Sequence, residues 1–118
     1  VIDHVLFEVS DLEPSARFYD ALFFALGARR MPPEEGALAW GVDGPVFEVT
    51  LREGGGRGFG HVALRAAGKV AVDAAYEAGL RAGGTGDGPP GGRPQHGPRG
   101  YAAALRDPDG LRIELVSR

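Results

Sequence analysis

Two histidines and two glutamates stand at matching places in the two halves of this chain. His4 lies in "DHVLFEV" and His61 in "GHVALRA". After each histidine a tyrosine falls at the same offset, Tyr19 and Tyr76, and so does a glycine, Gly27 and Gly84. Each half closes on a strand-like run with a central glutamate, "PVFEVTL" around Glu48 and "LRIELVS" around Glu114. A duplicated unit can set two imidazoles and two carboxylates about one pseudo-twofold axis. That donor set suits one divalent metal ion (Zn, Ni, Co, Mn or Fe), octahedral, with two positions left to water or substrate oxygens. Its chemistry would be Lewis-acid chemistry: two neighbouring oxygens held, an oxyanion or enediolate stabilised. A carboxylate at the metal's edge, Glu48 or Glu114, can also move a proton as general base.

Each residue taken alone has a plainer reading. A lone histidine on a strand is more often a hydrogen-bonded structural residue, and a strand glutamate is usually solvated. Matched placement in both halves shifts the balance toward a shared site. Strand parity agrees. His4 faces away from Val5, Phe7 and Val9, Glu48 from Phe47, Val49 and Leu51, His61 from Val62 and Leu64, and Glu114 from Ile113 and Leu115. The apolar faces would pack under helices, and the other faces could curl into a trough.

The elements that must carry these residues follow from periodicity. Residues 2–10 alternate with period two and read as a strand. "DLEPSARFYDALFFALG" reads as a helix, with Pro14 in its first turn, Phe18, Leu22 and Leu26 on one stripe, and Gly27 as terminator. Short strands are expected near 28–31, 37–42 and 45–52, with turns at Gly36 and Asp43–Gly44. The second half repeats the order: strand "GFGHVALRA", helix "KVAVDAAYEAGLRA", then an irregular Gly/Pro-rich stretch with room for one brief strand, then a hairpin turning on "DPDG". One βαβββ unit cannot bury its helix and its sheet alone, so two units must pair. The expectation is one domain over 1–118, made of module 1 (1–53) and module 2 (58–118).

Around this core, His96 and Tyr101 flank the glycine-rich stretch as candidates to close over substrate, and Trp40 as a candidate to line the trough. Glu8 shares the His4 face but lies too far along the strand for the same ion. Arg52, Arg65 and Arg112 also share the ligand parity, and solvated strand-end arginines are the preferred reading of them. The glycine-rich stretch carries no Lys-Ser/Thr and opens no helix, so it is not a phosphate loop.

The chain has 118 residues, 43% of them apolar, a formal charge of −3 and no cysteine. The charge argues against a nucleic-acid partner. No apolar run reaches membrane-spanning length and no secretory leader is expected. With no thiolate available, any metal must be held by nitrogen and oxygen. The lack of cysteine fits a cytoplasmic protein.

"IDHVLFEVSDLEPSARFYDALFFALG", "FGHVALRA" and "RDPDGLRIELVS" together resemble the vicinal oxygen chelate superfamily, which holds glyoxalase I, extradiol dioxygenases, fosfomycin resistance enzymes and bleomycin resistance proteins. The resemblance implies an α+β fold of two βαβββ modules forming a curved mixed-sheet trough, often in a homodimer with the site between modules. It implies a His, Glu, His, Glu set at His4, Glu48, His61 and Glu114, and a glutamate that shuttles a proton between adjacent carbons. The first expectation is a metal-dependent glyoxalase-like lyase or isomerase acting on a small substrate with vicinal oxygens. The alternatives are an extradiol-type Fe(II) dioxygenase using His4, His61 and Glu114, and a non-enzymatic binder of a bleomycin-like drug or metabolite.

Overall fold

The computed structural model describes residues 2–32, 36–54 and 61–118. β1 (Val5–Val9) leads into α1 (Leu12–Ala25), then β2 (Arg29–Arg30), β3 (Ala37–Gly41) and β4 (Pro45–Leu51). The second half repeats the plan: β5 (His61–Arg65), α2 (Lys69–Arg81), β6 (Thr85–Gly92), β7 (Tyr101–Arg106) and β8 (Arg112–Ser117). Each module makes one four-stranded mixed sheet, ordered β1-β4-β3-β2 and β5-β8-β7-β6. In both, the first strand runs parallel to the last and the other pairs are antiparallel. The duplication read from the residues is therefore a duplication of topology, and the fold is α+β. Among the described residues the two sheets share no hydrogen-bonded strand pair and are not closed on each other. The expected module boundary at 53–58 lies largely outside the described residues.

Local chemistry sets the helix ends. Asp11 caps α1 by accepting from the Glu13 amide, with Pro14 in the first turn where its missing N–H is harmless. Gly27 follows at φ 84°, a conformation costly for any residue with a Cβ.

The Gly/Pro-rich stretch departs most from expectation. Instead of a loop with a brief strand it forms the eight-residue β6, then one 3₁₀ turn at Pro94–His96. Its pairing with β7 slips at Gly86/Gly88 and Gly88/Gly91. These bulges, and an edge position, let Pro89 and Pro90 sit in a strand without breaking a two-sided ladder.

One core serves both modules. Phe18, Tyr19, Leu22 and Phe23 of α1 pack with Trp40 and Phe47 of the first sheet, and the same cluster runs through Val72 and Ala75 of α2 to Leu105, Ile113 and Leu115 of the second. α1 meets α2 at Gly79, where a Cβ would collide with Leu105 and press on Leu22 and Phe18. At Gly84 an added Cβ would strike the Phe18 ring. Two bare glycines thus make the socket that a module 1 phenylalanine fills.

Candidate metal centre

In module 1, Val5, Phe7, Val9, Phe47 and Val49 face the core, so His4, Leu6, Val46 and Glu48 share the opposite, open face. His4 stands one residue before β1. Its Nε2 lies 3.9 Å from Glu48 Oε2, with the imidazole 47% exposed and the carboxylate only 18%. His4 Nδ1 lies 2.8 Å from Asp3 Oδ1. A carboxylate on Nδ1 fixes the ring orientation and turns Nε2 toward Glu48, the arrangement that raises the basicity of a metal-ligating histidine. Asp3 was not singled out in the sequence; its position next to His4 was the available signal.

Module 2 carries its pair at the same register step. His61 is opposite Arg112 and Ala63 opposite Glu114, so Glu114 lies two residues beyond the partner of His61. In module 1, Val5 is opposite Phe47, which sets Glu48 two residues beyond the position facing His4. The side chains around the two glutamates differ. Where module 1 has Val46, module 2 has Arg112, whose Nη2 donates to Glu114 Oε1 at 3.3 Å and whose Nη1 donates to Asp87 Oδ2. Asp87 also lies 3.3 Å from Arg106 Nη2. Among the described residues, the His61 ring has no hydrogen-bond or ion-pair partner. Arg112, expected to be a solvated arginine, instead orients Glu114. Its place two residues before the glutamate, on the same face, was the signal for this role.

The remaining candidates divide by face. His96 is half-buried and borders a cavity with Ala63 and Val116, on the open side of the second sheet. Trp40 is fully buried on the helix side, its ring near Tyr19, Phe23 and Phe47 and its Nε1 donating to Asp20. Tyr101 packs against the core and donates to Asp73 of α2 at 2.6 Å. Glu8 pairs with Arg52 at 3.4 Å.

The structure brings His4 to Glu48 but does not assemble all four residues. Among the described residues, no three of His, Asp or Glu approach closely enough to share a metal ion. Each half instead carries one imidazole and one carboxylate at the same register step of its sheet.

A second polar constellation joins the modules. Tyr19 Oη donates to Asp107 Oδ2 at 2.7 Å, and Asp107 Oδ1 accepts from the amides of Asp109 and Leu111. Ser10 donates to Asp109 through its amide, at 3.0 Å, and through its hydroxyl. Burial pushes the Asp107 carboxyl up, against the lowering pull of its hydrogen bonds. Burial, and then the Asp107 charge, raise the Tyr19 phenol well above its usual value. The "DPDG" turn is thus a hairpin turn and also the clasp that holds module 2 to α1 and the end of β1.

Comparison with known proteins gives a consistent assignment. Residues 1–115 match the family model described as the Glyoxalase/Bleomycin resistance protein/Dioxygenase superfamily. A glyoxalase/bleomycin resistance protein from Albidiferax ferrireducens T118 is 32% identical, with a TM-score of 0.86 over 98% of this chain and 97% of its own. An E144Q glyoxalase I mutant from Zea mays is 26% identical with a TM-score of 0.68, over 96% of this chain but 45% of its own. The fosfomycin resistance protein FosX from Mesorhizobium loti shares the fold at 20% identity and a TM-score of 0.72, over 100% of this chain and 92% of its own. No curated protein matches the chain. No helix among the described residues is long and apolar enough to cross a membrane.

Proposed function

The chain belongs to the Glyoxalase/Bleomycin resistance protein/Dioxygenase superfamily, and on that footing we propose that it is a metal-dependent lyase or isomerase of glyoxalase type, acting on a small substrate with vicinal oxygens. The observation that carries this reading is the equal register of the two His/Glu pairs on the open faces of two topologically identical sheets. His4, Glu48, His61 and Glu114 would hold the cation, which supplies Lewis acidity to two adjacent substrate oxygens. The two half-sites would meet in a cytoplasmic homodimer, module 1 of one copy against module 2 of its partner.

The residues then divide the work. His4, steadied by Asp3, and Glu48 form one wall. His61 and Glu114 form the other. Arg112 engages Oε1 of Glu114, which leaves Oε2 to take a proton from a substrate carbon and return it to the neighbouring one. Glu48 is the equivalent carrier on the opposite wall. His96, half-buried beside Ala63 and Val116, is the side chain best placed to border the substrate.

A metal-free binder is the competing reading, favoured by the hold of Arg112 on Glu114. Elemental analysis of the purified protein separates the two. The metal reading expects one divalent ion per site, lost on His4→Gln, His61→Gln, Glu48→Gln or Glu114→Gln. It expects turnover of a hemithioacetal or related substrate to fall by about 100-fold or more, beyond the effect of removing an outer-shell partner. Wild-type protein that retains no metal would leave the binder.

A further inference from the structure

The open face of module 2 continues past the metal-ligand positions into a cavity of about 200 Å³ lined by Ala63, Leu64, Arg65, His96, Val116 and Arg118. Its polar lining residues are two arginines and a histidine, with no aspartate or glutamate among them. In a chain of net charge −3, this is a local reversal of sign. Among the described residues, Arg65, His96 and Arg118 make no side-chain hydrogen bond or ion pair. Three other arginines of the second module are engaged: Arg112 by Asp87 and Glu114, Arg106 by Asp87, and Arg93 by the carbonyls of Pro89 and Gly92.

The fold builds this cavity deliberately close to the candidate centre. His61, Ala63 and Arg65 alternate on the exposed face of β5, and Val62 and Leu64 pack against the core. Ala63 is the register partner of Glu114 and Arg65 that of Val116. Two residues of strand, about 7 Å, thus separate the step that carries Glu114 from the step that carries Arg65. His96 reaches the same face from the 3₁₀ turn after β6. Gly100 allows that approach, because a Cβ there would collide with the Arg93 carbonyl and the His96 Cβ. The larger cavity nearby, of about 450 Å³, is walled by glycine, proline and the already engaged Arg93. It offers no unused charge.

We infer that Arg65, His96 and Arg118 form an anion subsite for one end of the substrate, so that the molecule acted on is a small phosphate, phosphonate or carboxylate ester or acid whose vicinal oxygens lie toward Glu114. The placement relative to Glu114 rests on the functional reading above; the cationic cavity itself does not. An arginine fork and an imidazole meet a tetrahedral or planar anion with charge-assisted hydrogen bonds. Neutral vicinal diols and ketols gain nothing there.

Titration calorimetry on the full chain tests this with three named probes: inorganic phosphate, dihydroxyacetone phosphate and dihydroxyacetone. Saturable phosphate binding is expected, weakened about 10-fold or more by Arg65→Gln and again by His96→Gln. It should be little changed by Glu114→Gln. Dihydroxyacetone phosphate should bind at least about 10-fold tighter than dihydroxyacetone, and Arg65→Gln should erase that difference. Perturbation of the His96 ring resonances by phosphate reports the site directly if affinity is low. Phosphate binding seen by neither calorimetry nor the His96 resonances, equal affinity in the Arg65→Gln/His96→Gln double variant, or equal affinity of the two ketols overturns the inference. Phosphate binding that depends on Arg65, in a protein that retains no metal, keeps the anion subsite and removes the metal-dependent isomerase. Metal retention without phosphate binding does the reverse.

Discussion

The two modules share one backbone plan and fill it in opposite ways. Module 1 is aromatic: Phe18, Tyr19, Phe23, Trp40 and Phe47 form one connected ring cluster. Module 2 is aliphatic, with small residues where its helix packs: Val72, Ala75 and Gly79 on α2, over Ala103, Leu105, Ile113 and Leu115 of its sheet. Aligned on their histidines, Phe18 corresponds to Ala75 and Leu22 to Gly79. A strictly symmetric repeat would set large against large, or small against small, where α1 meets α2. Pairing large residues of one helix with small ones of the other lets the helices interlock at crystal-like density. The same divergence marks the open faces, where Glu48 leans on a histidine and Glu114 on an arginine. Duplication supplied the frame; asymmetry made the halves complementary.

The comparison breaks most visibly in the core. Phe18→Ala empties the socket at Gly79 and Gly84 and should cost about 3–5 kcal/mol in urea denaturation. Ala75→Phe alone should cost about 1–3 kcal/mol through overpacking. The exchanged pair, Phe18→Ala with Ala75→Phe, should lose less than the sum, by at least about 0.5 kcal/mol. Strict additivity would show that the two positions do not share one packing volume.

The matched tyrosines give a sharper and smaller contrast. Tyr19→Phe removes a buried donor to Asp107 and should destabilise by about 1–3 kcal/mol. Among the described residues the Tyr76 hydroxyl has no hydrogen-bond partner, and Tyr76→Phe should stay within about 0.5 kcal/mol. Equal effects in chemical denaturation would remove the clasp as a distinguishing feature.

The smallest effect is a pH dependence. The Asp107 carboxyl is raised in the folded state, so the folded protein binds that proton more tightly than the unfolded chain. Its contribution to stability is present at low pH and is lost as pH rises through the raised value. Compared with Asp107→Asn, the wild type should therefore gain relative stability as pH falls from neutrality toward the ordinary aspartate range. The Tyr19 phenol, also raised, contributes in the same sense at alkaline pH, where stability is lost as pH climbs past the usual tyrosine range. Parallel denaturation midpoints for the two proteins from neutral to acidic pH would contradict the assignment.

Much of this architecture was legible along the chain. Periodicity located both helices and most strands, because a half-buried strand and an amphipathic helix each print their burial on the sequence. Parity placed His4, Glu48, His61 and Glu114 away from the core face. β6 was not legible: glycine and proline carry no side-chain alternation, and its pairing depends on β7. Trp40 and Tyr101 show a second limit. Aromatic residues near a trough fit its lining and its floor equally well, and here both lie on the helix side.

What the residues determined alone was local and periodic: two copies of one βαβββ plan, the faces of their strands, and a nitrogen and oxygen donor set with no sulfur. What only the tertiary structure decided was long-range pairing. Arg112 meets Asp87 because β6 closes the second sheet, Tyr19 meets Asp107 because two modules share one core, and His96 borders the same cavity as Arg65 because a turn folds across strands distant in sequence. The reason is physical. Side-chain alternation reports whether a residue is turned in or out, but its partner on that side is set by packing between segments whose separation along the chain carries no periodic signal.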